Sequence, residues 1–352
     1  MNVGLDYWPG SVHEPGRGRY LREVVAALAR IEDGPRLRLV DWGPGARLAM
    51  QPEESDRLTL RRVLLPRSWL VRAARSELGA RALARGCDLV HGCDLRALTG
   101  RRAPAVVAVS EWPQESRDLA SAAGIVAFSE HAARRLRDEA GVVPERVHVI
   151  PVGCEHFARG MPPPSRDPRR PVALALGRID HARAPLAILA ACERLRDEGV
   201  AVELEFLGQR GDAYDELRAR VTRSRICAFV RFDSAPTDAL VRAALARASA
   251  LVHLSDGELT PVTPLEALAC GVSVVATRAP AFVEALGEHA IWVEPPVDDV
   301  QPEALALAIA SALSCASDPA AAERRIRHAA RYSWAAHAAL TLRAWREILA
   351  RA

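Results

Sequence analysis

The chain contains no lysine: all 47 of its cationic side chains are arginines. Every fixed positive charge is therefore a planar guanidinium fork rather than a point charge. Any anion-holding role that a lysine fills elsewhere falls here to arginine. Apolar runs of about 18 residues are also missing, so no segment is expected to span a membrane. The first residues lack the charged-then-apolar pattern of a secretory signal, which sets an expectation of cytoplasmic residence. The seven cysteines are scattered and odd in number, with no C-x-x-C pair. That excludes a disulfide framework and fits a reduced compartment. Cys87, His91 and Cys93 lie close in sequence, but no fourth ligand is near, so no metal is assigned. With a formal charge of +3, the chain lacks the basic footprint of a nucleic-acid binder.

What is present is a regular α/β alternation. At 352 residues with 49% hydrophobic content, the chain is long enough for two α/β domains. Short apolar runs predict strands at Asn2–Leu5, 36–41, 88–91, 105–109, 125–128 and 147–151. Met161–Pro171 then brings five prolines and reads as an interdomain linker. The alternation restarts with strands over 172–176, 202–207, 227–232, 250–254 and 272–276. Helices are expected over 185–196, 213–221, 302–314 and 319–330. The segment 61–85 reads as a basic, partly apolar helix whose arginines suit anionic headgroups. It sets an expectation of peripheral membrane contact.

The stretch Ala250–Thr277 organises the chemistry. It reads as strand, polar loop, short helix, strand, which puts the loop and the helix N-terminus at the carboxyl end of a parallel sheet. Thr263 is expected as the helix N-cap, with Pro264 at the first helical position and Glu266 completing a capping box. Gly271 ends the helix. Glu258 and Glu266 bracket the loop with seven residues between them. Upstream, Gly177-Arg178-Ile179-Asp180 follows a strand, with Arg183 five positions after Arg178. Two guanidiniums just past a strand end suit a diphosphate.

The E-x7-E spacing followed by A-L-A-C-G-V-S-V-V-A-T resembles the signature of the retaining GT-B glycosyltransferases of family four. G-R-I-D-H-A-R resembles that family's G-R-L-x-x-x-K, with Arg183 in the place of the lysine. Gly18-Arg19-Tyr20 resembles its glycine-rich loop between the first strand and helix. The last stretch, from Tyr332, resembles the terminal GT-B helix that returns to the first domain.

The resemblance implies an α/β fold, GT-B, with two Rossmann-like domains facing a cleft. These would be 1–160 on the acceptor side, linker 161–171, nucleotide-sugar domain 172–330 and crossover helix 331–352. It also implies retaining transfer from a nucleotide-diphosphate sugar to an acceptor glycan, glycolipid or small molecule, with no metal or other cofactor. Gly18, Arg178 and Arg183 would hold the donor phosphates, and Thr260, Pro261, Val262 and Thr263 would line the donor. Glu266 would take the ribose hydroxyls and Glu258 the sugar.

The sequence departs from the family at three places. Val152 replaces an asparagine. Ser110-Glu111 stands where His-Asp is usual, so a hydroxyl takes the place of an imidazole at the reacting sugar. The glycine-bearing loop E-G-F-G-L-P is here E-L-T-P-V-T. These departures carry a second reading, a catalytically silent GT-B protein that binds an active paralogue. A third, a GT-B epimerase or phosphorylase, fits the E-x7-E context less well.

Overall fold

The computed structural model describes residues 1–11, 16–41, 55–62, 84–93, 103–109, 119, 121–161 and 164–352. Contacts divide the chain into a first unit of Met1–Gly153 with Ser333–Ala352, and a second of Cys154–Tyr332.

In the first unit the described strands are β1 (Asn2–Asp6), β2 (Arg36–Asp41), β3 (Leu58–Arg62), β4 (Leu89–Gly92), β5 (Ala105–Val109), β6 (Gly124–Ala127) and β7 (Val147–Val149). They form one sheet in the order β3-β2-β1-β4-β5-β6-β7, every pair parallel. The central strands of a parallel sheet are covered on both faces and so are apolar; β5, AVVAV, is buried at every residue. Its described helices are α1 (Trp8–Ser11), α2 (Arg17–Ala29), α3 (Glu130–Asp138) and, at the chain's end, α11 (Trp334–Arg351). The hydroxyl of Ser129 caps α3 at the Ala132 amide, and Ser333 caps α11 at Ala336.

α11 buries Trp334, Ala338, Trp345 and Ile348 within the first unit. Gly124 and Gly153 accommodate it: an added Cβ would stand 2.4 Å from Ile348 Cδ1 in one case and from the Trp334 amide nitrogen in the other. The ring nitrogens of His91 are both engaged here. Trp345 Nε1 donates to Nδ1 at 3.2 Å, and Nε2 meets the Tyr20 hydroxyl at 3.2 Å. His91 is thereby a core residue, held neutral with its pKa near 3 by burial and by His337 beside it.

The second unit repeats the plan with β8 (Val172–Leu176), β9 (Glu203–Leu207), β10 (Val230–Asp233), β11 (Ala250–His253), β12 (Ser273–Thr277) and β13 (Ala290–Val293). Their order is β10-β9-β8-β11-β12-β13, again with every pair parallel. Around them lie α4 (Pro185–Asp197), α5 (Tyr214–Thr222), α6 (Asp238–Arg247), α7 (Val262–Ala269), α8 (Pro280–Leu286), α9 (Pro302–Ser314) and α10 (Pro319–Ala329). The strand order reverses between β8 and β11, the switch point where a doubly wound sheet opens a crevice beyond its strand ends. No single helix among the described residues is long and apolar enough to cross a membrane.

Four sequence expectations are corrected. The units part at Gly153 and Tyr332, not along the proline-rich stretch. That stretch packs on the second unit: Ser165 N donates to Ala246 O at 3.0 Å, while Arg166 donates to Ala248 O and Cys270 O at 2.8 and 2.9 Å. Proline prevents a helix, but it does not prevent packing. Positions 61 and 62 close strand β3 instead of opening a helix, and 63–83 lie outside the described residues. Gly18 is the second residue of α2 and is buried, not part of an open loop. The fourth correction concerns Thr263, in the site itself.

Candidate donor-binding site

The two loops that leave β8 and β11 flank the switch point of the second unit, and the described sequence-predicted site residues other than Gly18 lie on them or on α7. After β8 the chain turns through Gly177, at φ +135°, into a 3₁₀ turn at His181–Arg183. Backbones crowd there: a Cβ on Gly208, at φ +156°, would stand 1.7 Å from the Gly177 carbonyl oxygen. Only glycine lets the ends of β8 and β9 approach this closely. Asp180 accepts from the Asp212 amide at 3.1 Å, and Asp212 accepts from the His181 amide at 2.8 Å, tying the two loops together. Ala184 then adopts a left-handed conformation, φ 43° and ψ 50°, before α4 begins at Pro185. For a residue with a Cβ this costs roughly 1–2 kcal/mol, a local strain at the turn that presents Arg183.

Arg183 does not stand free. Its Nη2 donates to Glu258 Oε1, and its Nη1 lies 3.0 Å from His253 Nε2. The same imidazole nitrogen is 2.7 Å from Glu258 Oε2. His253 ends β11 and is 3% exposed, whereas the Glu258 and Arg183 side chains are 22% and 26% exposed. Burial by itself would raise the Glu258 carboxyl. At the acid pH where this carboxyl titrates, the charges of His253 and Arg183, with their hydrogen bonds, outweigh it and hold the group at about 2. Glu258 is therefore a carboxylate at neutral pH. Beside the cluster is a small cavity of about 20 Å³, lined by Gly177, Arg178, Arg183, His253 and Leu254, room for about one water. Arg178 points further out, with its side chain 61% exposed and its Nε 3.2 Å from Asp180 Oδ1.

The loop after β11 is pinned at both sides. Ser255 N donates to Thr277 Oγ1 at 2.9 Å, and Val297 N to Asp256 Oδ2 at 2.7 Å. Thr260 and Pro261 are buried, and among the described residues the Thr260 hydroxyl meets no hydrogen-bond partner. Helix α7 starts at Val262 with Pro261 as N-cap, so Thr263 is the second helical residue and caps nothing. The capping box is absent because the Val262 amide turns back to Thr260 O at 2.9 Å, starting the helix two residues early. Pro264 has no amide. Of the first three helical residues, Thr263 is thus the one whose N–H faces outward past the helix start.

Glu266 lies deeper on α7, with no exposed surface, and its Oε1 is 2.9 Å from His156 Nε2. His156, 8% exposed, belongs to the short turn that opens the second unit. Each glutamate of the E-x7-E pair therefore has a histidine within 3 Å, and sequence reasoning singled out neither histidine. A signal existed for His253: a titratable residue closes an otherwise apolar strand, five positions before Glu258. None existed for His156, which is 110 residues from its partner. Gly18 belongs to the first unit, and Ser110 and Glu111 lie outside the described residues.

Residues 170–315 match the family model described as glycosyl transferases group 1. That stretch is similar to the group 1 glycosyl transferases. Over 262 residues, the chain is 29% identical to the alpha-maltose-1-phosphate synthase of Mycobacterium tuberculosis (strain CDC 1551 / Oshkosh), covering 69% of this chain and 67% of that protein. Among solved structures, the sucrose-phosphate synthase of Thermosynechococcus elongatus superposes with a TM-score of 0.75 at 16% identity, over the full length of both chains. Anabaena HepE, solved with UDP and glucose, gives a TM-score of 0.73 at 17% identity, over 98% of this chain and 99% of that one. The fold is thus the GT-B arrangement, two Rossmann-like domains built on sheets of seven and six parallel strands.

Proposed function

We propose that the chain is a glycosyl transferase that moves a sugar from a nucleotide-diphosphate donor to an acceptor hydroxyl with retention of configuration and without a metal. The observation that carries the reading is the Arg183–Glu258–His253 cluster, formed where the loops after β8 and β11 meet at the switch point. Glycosyl transfer passes through an oxocarbenium-like state while a diphosphate leaves with negative charge. Arg178 and Arg183 neutralise that leaving group through guanidinium forks. The Thr263 amide at the start of α7 adds a partial positive charge. The Thr260 hydroxyl, buried and without a hydrogen-bond partner among the described residues, is a polar group that a donor could satisfy.

In this reading Glu258 meets a hydroxyl of the transferred sugar, and Glu266, steadied by His156, serves the ribose. The HepE structures are described as complexes with UDP and with UDP-glucose, which supports a nucleotide-sugar donor here. The acceptor is a glycan, glycolipid or small molecule. The reading is tested by incubating the chain with UDP-, GDP-, ADP- and dTDP-sugars and following release of the nucleoside diphosphate. Proton NMR of the released or transferred sugar reports its anomeric configuration. Release from one donor, with the anomer retained, is the expected result. No release from any donor, together with co-purification with a paralogue, would establish the silent reading.

A further inference from the structure

His253 Nε2 faces two neighbours that it cannot serve together. Glu258 Oε2 is 2.7 Å away and Arg183 Nη1 is 3.0 Å away. A guanidinium nitrogen only donates and a carboxylate oxygen only accepts, while one imidazole nitrogen does one or the other. With a proton, Nε2 donates to Glu258 and sets its N–H against an N–H of Arg183. Without one, it accepts from Arg183 and sets its lone pair against the carboxylate. Among the described residues, no further hydrogen bond at the ring relieves the conflict. Phe282 of α8 lies beside it at 5.6 Å between centroids. The strand neighbours β8 and β12 bring Leu174, Leu176, Ala276 and Thr277, none of them titratable. The further charge on the same cavity is Arg178, itself paired with Asp180.

We propose that His253 is a positioning residue that hands Arg183 over from Glu258 to the donor diphosphate, taking a proton from solvent as it does so. The proposal rests on the donor reading above. In the empty site Arg183 is held by Glu258. An arriving diphosphate competes for that guanidinium with more negative charge and more acceptor oxygens. As Arg183 turns to the phosphates, Glu258 loses its cation and the conflict at Nε2 disappears. The imidazole then binds a solvent proton and holds Glu258 as an imidazolium, through Nε2–H and Oε2. No net charge is left uncompensated in a partly buried site, and Glu258 Oε1 is freed for a sugar hydroxyl. Because binding takes up a proton, affinity falls as pH rises, by up to about tenfold per pH unit for one proton.

The test uses inorganic pyrophosphate as the probe, because it needs neither the right base nor the right sugar. Calorimetric titrations of the full chain, in buffers of different ionisation enthalpy between pH 6 and 8, count the protons taken up on binding. The unmodified chain is compared with H253Q, which keeps an N–H for Glu258 but cannot be charged, and with R183Q. The pyrophosphate's own protonation cancels in the comparison. The expected result is an additional uptake approaching one proton in the unmodified chain, with a steeper loss of affinity on raising the pH. Equal proton counts and equal pH slopes in the unmodified chain and H253Q would overturn the hand-over, while binding lost in R183Q would leave the donor site standing. Pyrophosphate that binds equally to R183Q, or to neither chain, would overturn the donor site and the hand-over with it. Should H253Q not fold, E258Q takes its place: with no carboxylate to hold, the additional uptake must vanish there too.

Discussion

His156 Nε2 and Glu266 Oε1 are 2.9 Å apart, with side chains 6% and 0% exposed. A carboxylate so enclosed is stable only with a partner, and removing one member of a buried pair strands the other. His156→Ala is therefore expected to destabilise the second unit by about 3 kcal/mol. Glu266→Gln keeps the shape and costs about 1–2 kcal/mol. A double-mutant cycle by urea denaturation should show coupling above about 0.5 kcal/mol; additive losses would mean that the pair does not act as a unit.

Glu266→Gln should also weaken a nucleoside diphosphate. Two ribose hydroxyls lose a charged acceptor, worth roughly 1.5–3 kcal/mol, or more than tenfold in Kd. Isothermal calorimetry with UDP, GDP, ADP and dTDP checks it, with inorganic pyrophosphate as the control whose affinity should stay the same.

Glu258→Gln should act in the opposite sense. It releases Arg183 from an ion pair, so pyrophosphate should bind several-fold more tightly, while sugar transfer slows because the sugar loses its carboxylate. The chain should also gain acid resistance. Glu258 is held at about 2, below its ordinary 4.5. A depressed carboxylate stabilises the fold above the unfolded value and loses that contribution as pH falls from about 4.5 toward 2. The difference is on the order of 3 kcal/mol. Thermal midpoints of the two chains should therefore converge as pH falls from 5 to 2; parallel curves would count against the ion pair.

Gly208→Ala should prevent the second unit from folding, or cost more than about 3 kcal/mol, because its Cβ would overlap the Gly177 carbonyl. Gly257→Ala, whose Cβ would meet nothing within 4 Å, should stay within about 0.5 kcal/mol of the unmodified chain. Circular-dichroism melts of the two variants separate steric demand from mere glycine content.

Transfer should survive EDTA, since in the proposed reading guanidiniums and the start of α7 neutralise the leaving diphosphate. Sugar transfer is assayed with chelator and then with magnesium or manganese restored. A strict need for either ion would refute the metal-free mechanism.

Much of this was written locally. Strands buried on both faces must be continuous apolar runs, so 105–109 and 172–176 are legible to the residue. The E-x7-E pair and the two arginines past β8 are legible because their spacing is itself the motif. Strand β3 was missed, since LTLRR at a sheet edge is half polar and half exposed. The start of α7 was misplaced because a serviceable cap residue, Thr263, sits one step inside the helix that Pro261 and Thr260 begin.

What the tertiary structure alone decided is partnership. Arg183, His253 and Glu258 meet because the strand order reverses between β8 and β11, bringing two loops some 70 residues apart to one crevice. His156 reaches Glu266 because the chain enters the second unit at Cys154, before its proline-rich stretch. Residue type and spacing declare which groups can carry charge. Which charges neutralise one another depends on distances that exist only once the sheets are assembled, since ion pairing falls off steeply with separation and with exposure to water.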